Sequence, residues 1–223
     1  MKIVGIYTGK PKNLSNNFTS SINRSEKKES IQLFFDRLEE DQVTDNVHHG
    51  GANRVLHQYA LSSYDFFKKT YPEQSNLFTP GSMGENICTE YWNDDNVCIG
   101  DIFQLGTSKI QVTEPRKPCR TIDMKYGIKG IARKIQKFQK AGWFYKVLEE
   151  GTFGPNDSMT RLENNWPELT VAKVTKELLV ERKNSKLLEA LSNHPILSDN
   201  WRKPAKIFLE KGMYESDADR LGM

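Results

Sequence analysis

Apolar and polar positions follow two periods along this chain, and the changeover falls near Asn165. Before it, short runs of β-branched and aromatic residues recur between turns rich in Gly, Asn and Pro. Residues 2–8 (KIVGIYT) predict a strand, and 30–38 predicts a second one. Between them, 10–27 is rich in Lys, Asn and Ser and reads as loop or irregular hairpin. Residues 39–54 (EEDQVTDNVHHGGANR) have neither period. A loop of ~15 residues inside a compact domain is uncommon unless it is functional. A strand over 54–60 follows, then a helix over 62–72 with Ser62 or Ser63 as cap and Pro72 after its end. Residues 78–89 are a Gly-rich loop. Three strand-like runs fill 96–115, broken at Gly100-Asp101 and at Gly106-Thr107-Ser108. Strands this short and close predict a meander closing into a barrel or sandwich. Residues 128–138 predict a helix, basic on one side. A strand over 142–153, a turn through Gly154–Asp157 and a short strand near 158–163 end this part.

After Asn165 only the helical period remains. Val171, Val174 and Leu178 share a face within 168–180, with Thr170 as cap. Residues 186–191 predict a second helix closed by Pro195. Residues 201–212 predict a third, its start left open by Pro204. Helices this short need a larger body or a partner to bury their apolar faces. The expected organisation is therefore a main domain over 1–165 and a three-helix segment over 166–223.

Composition changes this picture little. At 37% hydrophobic and 27% charged, the 223 residues suit a soluble protein, and no apolar run approaches the ~20 residues that span a bilayer. The N-terminus lacks a small-residue cleavage site and reads as strand, so the expectation is a soluble cytoplasmic protein with no membrane association. A net charge of +3 is too mild to point to nucleic acid.

The cysteines carry more. Three of them without a CxxC pair argue against a disulfide framework and against a structural zinc site. Cys98, in NVCIGDIF, reads as a buried core thiol. Cys88, in GENICTE, is either core or near a site. Cys119 differs, because EPRKPCR gives it no apolar neighbour and puts Arg116, Lys117 and Arg120 within three residues. Cations favour a thiolate, and Pro115 and Pro118 favour an extended, exposed presentation. The segment reads as a reactive or metal-binding thiolate; the plain alternative is an exposed loop cysteine with bases nearby.

Two loops join it. HHGGANRVLH holds His48, His49 and His57, with Gly50 and Gly51 allowing close backbone approach to a ligand. Two of these histidines with Cys119 would suit zinc; a polar surface turn is the other reading. Arg54 and His57 lie three apart on a predicted strand and so start on opposite faces. GSMGEN offers Glu85 and Asn86 to a heterocycle, but it matches neither a P-loop nor a dinucleotide fingerprint.

In combination, VHHGGANRVLHQY, GSMGENI, VCIGDIFQLG and IQVTEPRKPC resemble the MOSC domain family, named for the C-terminal domain of molybdenum cofactor sulfurase, over about residues 1–213. The last three helices are similar to a small domain carried by one bacterial branch. The resemblance implies a mainly β fold with α, a closed β-barrel-like core plus a small C-terminal three-helix domain, and binding of the molybdenum cofactor (molybdopterin). It implies Cys119 as metal ligand, Arg54 and His57 as catalytic residues near the metal, and His49, Gly50, Gly51, Arg54, Asn86 and Arg116 as cofactor-binding residues. Arg54 and Arg116 are the candidates for the cofactor's phosphate. Arg120, Thr121 and Cys88 fall outside its pattern. Pyridoxal phosphate is only loosely associated with the wider family, and no lysine is singled out for a Schiff base.

The implied activity is reduction of N-hydroxylated small molecules such as 6-hydroxylaminopurine, with Cys119 holding the metal and His57 as proton donor. The chain has no flavin, haem or iron–sulfur signature, so a separate electron-donor redox protein is the expected partner. The helical segment would dock that donor or a second subunit of a homodimer. The competing readings are a carrier or sulfur-relay protein without turnover and a metal-free thiol catalyst using Cys119 and His57.

Overall fold

A computed structural model describes residues 1–15, 18–44, 50–214 and 216–222. Its strands are β1 (Ile3–Thr8), β2 (Lys12–Ser15), β3 (Phe18–Ser20), β4 (Ser25–Lys27), β5 (Ile31–Leu33), β6 (Leu56–Ala60), β7 (Ile87–Thr89), β8 (Ile102–Leu105), β9 (Ser108–Pro115), β10 (Trp143–Glu149), β11 (Gly151–Phe153) and β12 (Met159–Glu163). Its helices are α1 (Leu61–Thr70), α2 (Arg120–Tyr126), α3 (Ile131–Lys137), α4 (Val171–Lys176), α5 (Ser185–Ser192), α6 (Asp199–Lys211) and α7 (Ala218–Leu221), with a 3₁₀ turn at Pro72–Leu77 and a π turn at Glu177–Glu181.

Eight strands form one sheet in the order β12-β8-β9-β10-β6-β7-β1-β4. All its pairs are antiparallel except β6 with β7. The expected closed barrel is not found: β12 and β4 are edges that do not pair with each other. The nearest approach to closure is one bridge between Lys2 and Ser158, with Met1 and Met159 exchanging backbone hydrogen bonds beside it. The architecture is a mixed α/β fold with a large open sheet.

The central strand β6 is buried along its whole length. Its Gln58 is tolerable because its side chain is bonded at both ends, although the buried Tyr59 hydroxyl has no hydrogen-bond partner among the described residues. Trp143 Nε1 donates to Tyr145 Oη (2.7 Å), Tyr145 Oη donates to Gln58 Oε1 (2.7 Å), and Gln58 Nε2 donates to Thr89 Oγ1 (2.6 Å). Around this chain lies the main core, where Phe103, Trp143 and Tyr145 meet Leu188, Leu191, Trp201 and Ala205 of the C-terminal helices. Each fully buried aromatic contributes on the order of 2 kcal/mol of transfer free energy. A second cluster, including Tyr59, Tyr64, Phe67 and Phe78, packs with α1 and α2.

Several local expectations change. The segment 10–27 folds as the hairpin β2–β3 followed by β4. Helix α1 follows β6 without a loop, so Ser62 and Ser63 fall inside its first turn and Ala60 is the residue before it, with no side-chain cap. In the first run of 96–115, Cys98 makes only a bridge to Thr170. Helix α2 was not foreseen: only Ile122 and Tyr126 of its seven residues are buried. Helix α6 runs straight through Pro204. No helix among the described residues is long and apolar enough to cross a membrane.

Candidate functional site

Three neighbouring strands lay a row of side chains across one face of the sheet. Glu114 of β9 stands opposite Phe144 of β10, and Phe144 stands opposite His57 of β6. Directly opposed residues share a face, and the rings of His57 and Phe144 lie 5.0 Å apart, centroid to centroid. Gly142 makes the approach of β10 possible: with φ at 72°, a Cβ there would come within 2.2 Å of the Gln58 carbonyl and 3.0 Å of His57 Nε2.

His57 and Phe144 help line a cavity of about 1140 Å³. Arg54 lines it too, although sequence spacing put it on the face opposite His57. It precedes β6, and a turn bonding its amide to Gly51 carbonyl (2.8 Å) frees it from the strand's alternation. Its Nε donates to Glu114 Oε1, and its guanidinium sits 5.7 Å from the Phe144 ring centre. Arg116 leaves β9 with its amide bonded to Gly142 carbonyl (2.9 Å) and its guanidinium donating to Met83 carbonyl (2.7 Å). Three residues later Cys119 reaches the same cavity as the residue before α2. Cys119 is half-buried rather than fully exposed, and Pro115 and Pro118 are both buried. Cys88 and Cys98 are core thiols, and burial pushes both of them up in pKa.

The GSMGEN loop acts through its backbone. Met83 carbonyl receives Arg116, and Gly84 carbonyl receives Arg24 and lies 3.3 Å from His57 Nδ1. The turn is fixed by Glu85, which accepts from Tyr64 Oη (2.7 Å) and from the Gly81 amide (2.7 Å). Asn86 is not among the cavity's lining residues. It is 1% exposed, its Oδ1 accepts from the His57 amide (2.9 Å), and its Nδ2 donates to Tyr7 carbonyl (3.2 Å) and Asp41 (3.0 Å). Its side chain positions His57. Gly50 and Gly51 line a smaller neighbouring cavity of about 370 Å³, which shares Arg54 with the first. His48 and His49 lie outside the described residues. No group of three or more metal-ligating side chains occurs among the described residues, so the zinc reading gains no support there.

His57 is 3% exposed, and burial together with the guanidiniums of Arg116 and Arg24 holds its pKa well below the ordinary value. Its second ring nitrogen lies 3.3 Å from Ala141 carbonyl. A neutral imidazole has one N–H, so only one of its two carbonyl contacts can be a hydrogen bond. The ring is neutral at pH 7 and does not fit the role of resident proton donor.

The sequence reading missed two cations that enter from remote segments, Arg24 and Arg220, and the tether of a third, Lys117. Arg24 makes a two-pronged contact with Asp41, through Nε at 3.0 Å and a terminal nitrogen at 2.7 Å. Arg220, in α7, donates to Pro118 carbonyl, Gln136 Oε1 (2.7 Å) and Asp217 (2.6 Å). Lys117 Nζ donates to Asn200 carbonyl (2.6 Å) and lies 5.1 Å above the Trp201 ring. That carbonyl is available because Pro204, four residues on in α6, has no N–H to offer it. Proline in a helix was the one signal that could have found this contact. Among the described residues, with Arg120 included, the cavity wall carries six cations against the single carboxylate of Asp219. It suits a multiply charged anion beside a soft sulfur donor.

Known proteins resemble this chain along most of its length. The family model for the MOSC domain matches residues 45–160. Protein YiiM of Escherichia coli (strain K12) is 34% identical over 168 residues, which cover 75% of each chain. A protein named Reductase from Gibberella moniliformis is 31% identical over 149 residues, 66% of this chain and 27% of its own length. The crystal structure of YiiM from Escherichia coli superposes with a TM-score of 0.83 at 26% identity, covering 99% of this chain and 98% of that one. With this match and this likeness along most of its length, the chain belongs to the MOSC domain family.

Proposed function

We propose that this protein is a reductase of N-hydroxylated compounds that works with the molybdenum cofactor held at Cys119. The observation that carries the reading is the placement of Cys119 on the wall of the cationic cavity, beside Arg54, His57 and Arg116. The similar protein named Reductase supports an enzyme.

The residues present fit such a cofactor. Cys119 is a soft donor of the kind that suits molybdenum, and of the three cysteines it is the one that lines this cavity. The described residues offer no cluster of further ligands, which matches a group that brings its own. Among the described residues the Arg116 side chain has a single carbonyl as hydrogen-bond acceptor, and burial lowers its pKa, so an anion beside it would stabilise the charged form. A phosphate satisfies that requirement and the fork geometry of guanidinium.

When bound, the cofactor supplies two-electron chemistry toward the N–O bond. Cys119 would hold its metal, and Arg116 and Arg54 its anionic end, with Arg24 adding positive potential. Phe144 offers a ring face to a planar substrate. His57, each ring nitrogen facing a backbone carbonyl, would shape the wall beside Phe144, while the protons come from solvent. The net change is R–NHOH plus two electrons and two protons to R–NH₂ plus water, with the electrons supplied by a separate donor protein.

The test is expression in a cofactor-competent host, with molybdenum content and reduction of 6-hydroxylaminopurine by reduced methyl viologen measured together. Wild-type protein should carry near-stoichiometric molybdenum and turn over; Cys119→Ala should lose both. Equal turnover by the two proteins sinks the reading. Retained metal without turnover in the wild type would make the protein a cofactor carrier instead.

A further inference from the structure

The basic helix α3 takes no part in the cavity. Lys129, Arg133 and Lys137 are exposed, and the described residues give them no ion pair. Arg133 and Lys137 are four apart and so share a face. Beside them Phe138 is 40% exposed, held from behind by Phe66 at 5.0 Å and flanked by Lys137 at 5.5 Å. Lys134, on the adjoining side, is seated over the Tyr71 ring at 4.4 Å. An apolar centre ringed by cations has the form of a protein-docking hot spot rather than a solvated face.

The other side of the same helix is wired to the site. The Asp123 carboxylate of α2 accepts from the amides of Gly130 and Ala132 and fixes the start of α3. Gln136, 8% exposed, accepts from Arg220, and Arg220 also donates to the carbonyl of Pro118, the residue before Cys119. A single arginine therefore links the inner face of α3 to the cysteine loop.

We propose that the outer face of α3, centred on Phe138 with Lys129, Arg133 and Lys137, is the docking surface for an acidic one-electron carrier protein of the flavodoxin or ferredoxin class. This rests on the reductase reading for the purpose of the encounter, and on charge complementarity and the short connection to Cys119 for its location. Three cysteines fall short of the four thiolates of a ferredoxin-type cluster, and the reductase reading takes its electrons from a separate protein. Two carrier molecules each give one electron, both are oxidised, the N–O bond of R–NHOH breaks, and two protons from solvent complete R–NH₂ and water.

The experiment uses the cofactor-loaded full chain, with an acidic flavodoxin and a [2Fe–2S] ferredoxin as probes. Binding is followed by fluorescence anisotropy, and substrate reduction is measured with the reduced carrier and, separately, with reduced methyl viologen. The variants are Lys129→Glu/Arg133→Glu/Lys137→Glu and its all-Gln counterpart. Carrier affinity and carrier-driven rate should fall about tenfold or more in the first and less in the second, and fall in the wild type as salt rises. Viologen-driven rate and thermal midpoint should stay unchanged. If charge reversal leaves binding of both carriers unaltered, or if neither binds the wild type, the proposal is overturned. It is also overturned if the variants lose only retention on duplex DNA. If carrier binding follows the charges but the wild type has no viologen-driven turnover, the docking surface stands and the reductase reading falls.

Discussion

The cavity and the outer face of α3 are both rich in cations but are built on opposite terms. In the cavity, Arg24 is clasped by Asp41, Arg54 by Glu114 and Arg220 by Asp217, and Arg116 rests on a carbonyl. On and just before α3, Lys129, Arg133 and Lys137 project into solvent. The difference follows from desolvation: a buried guanidinium costs several kcal/mol unless a partner is in place, whereas an exposed one costs almost nothing. Positive charge in the cavity is fixed in position and selects a ligand by geometry. On the helix it is mobile, screened by salt, and acts on encounter.

The comparison breaks first at Arg116. Arg116→Ala should lower cofactor retention and kcat/KM by about 100-fold, the value of a charge-assisted hydrogen bond in a shielded site, while Arg133→Ala changes viologen-driven kcat/KM less than about threefold. Comparable losses from both would erase the distinction. Next comes Glu114→Ala, which removes the carboxylate from the buried Arg54–Glu114 pair and should cost about 3 kcal/mol of stability in a urea titration. A change under about 1 kcal/mol would show that the pair is not held as described.

A pH titration sharpens the comparison, because Asp94 is a buried carboxylate without a guanidinium. Its Oδ1 accepts from the Gly142 amide beside His57, its Oδ2 has no partner, and burial raises its pKa from 3.8 to about 6. The folded protein keeps this proton where the unfolded chain has lost it. The stabilisation is therefore complete below about pH 4 and fades by about 3 kcal/mol as pH rises toward 6. Asp94→Asn should flatten that part of the stability curve; an unchanged slope would assign it elsewhere. The smallest effects belong to the helix face: Arg133→Ala and Lys137→Ala should each shift stability by less than about 0.5 kcal/mol, readable in the same titrations.

Much of this was legible in the sequence where chemistry is local. Many of the strands and the core thiol Cys98 could be read from short patterns, whereas the tie between Cys119, Arg116, Arg54 and His57 came from the family resemblance, local spacing having put Arg54 and His57 on opposite faces. What escaped depends on long-range register. Arg24 meets Gly84 across 60 residues and Arg220 meets Pro118 across 102, and no local pattern records either contact. Whether β1 and β12 zip together or merely touch depends on a register set by everything between them, so the barrel could be expected but not read. The resemblance implies Asn86 as a cofactor-binding residue through its motif, yet a motif does not reveal that its amide is already committed to His57, Tyr7 and Asp41. Helix α2 shows too few apolar positions to announce itself.

Pro204 gives the C-terminal helices a role that their packing alone would not. By leaving the Asn200 carbonyl unclaimed within α6, it lets a helix defect serve as the attachment point for Lys117. Pro204→Ala is the substitution a thermostability engineer would try first, with a nominal gain approaching ~3 kcal/mol in an interior helix position. Here it would give that carbonyl a second suitor and alter the cavity wall from behind. Protein made sturdier by this change would be expected to hold its ligand less well, a stability–activity trade-off located in one missing hydrogen.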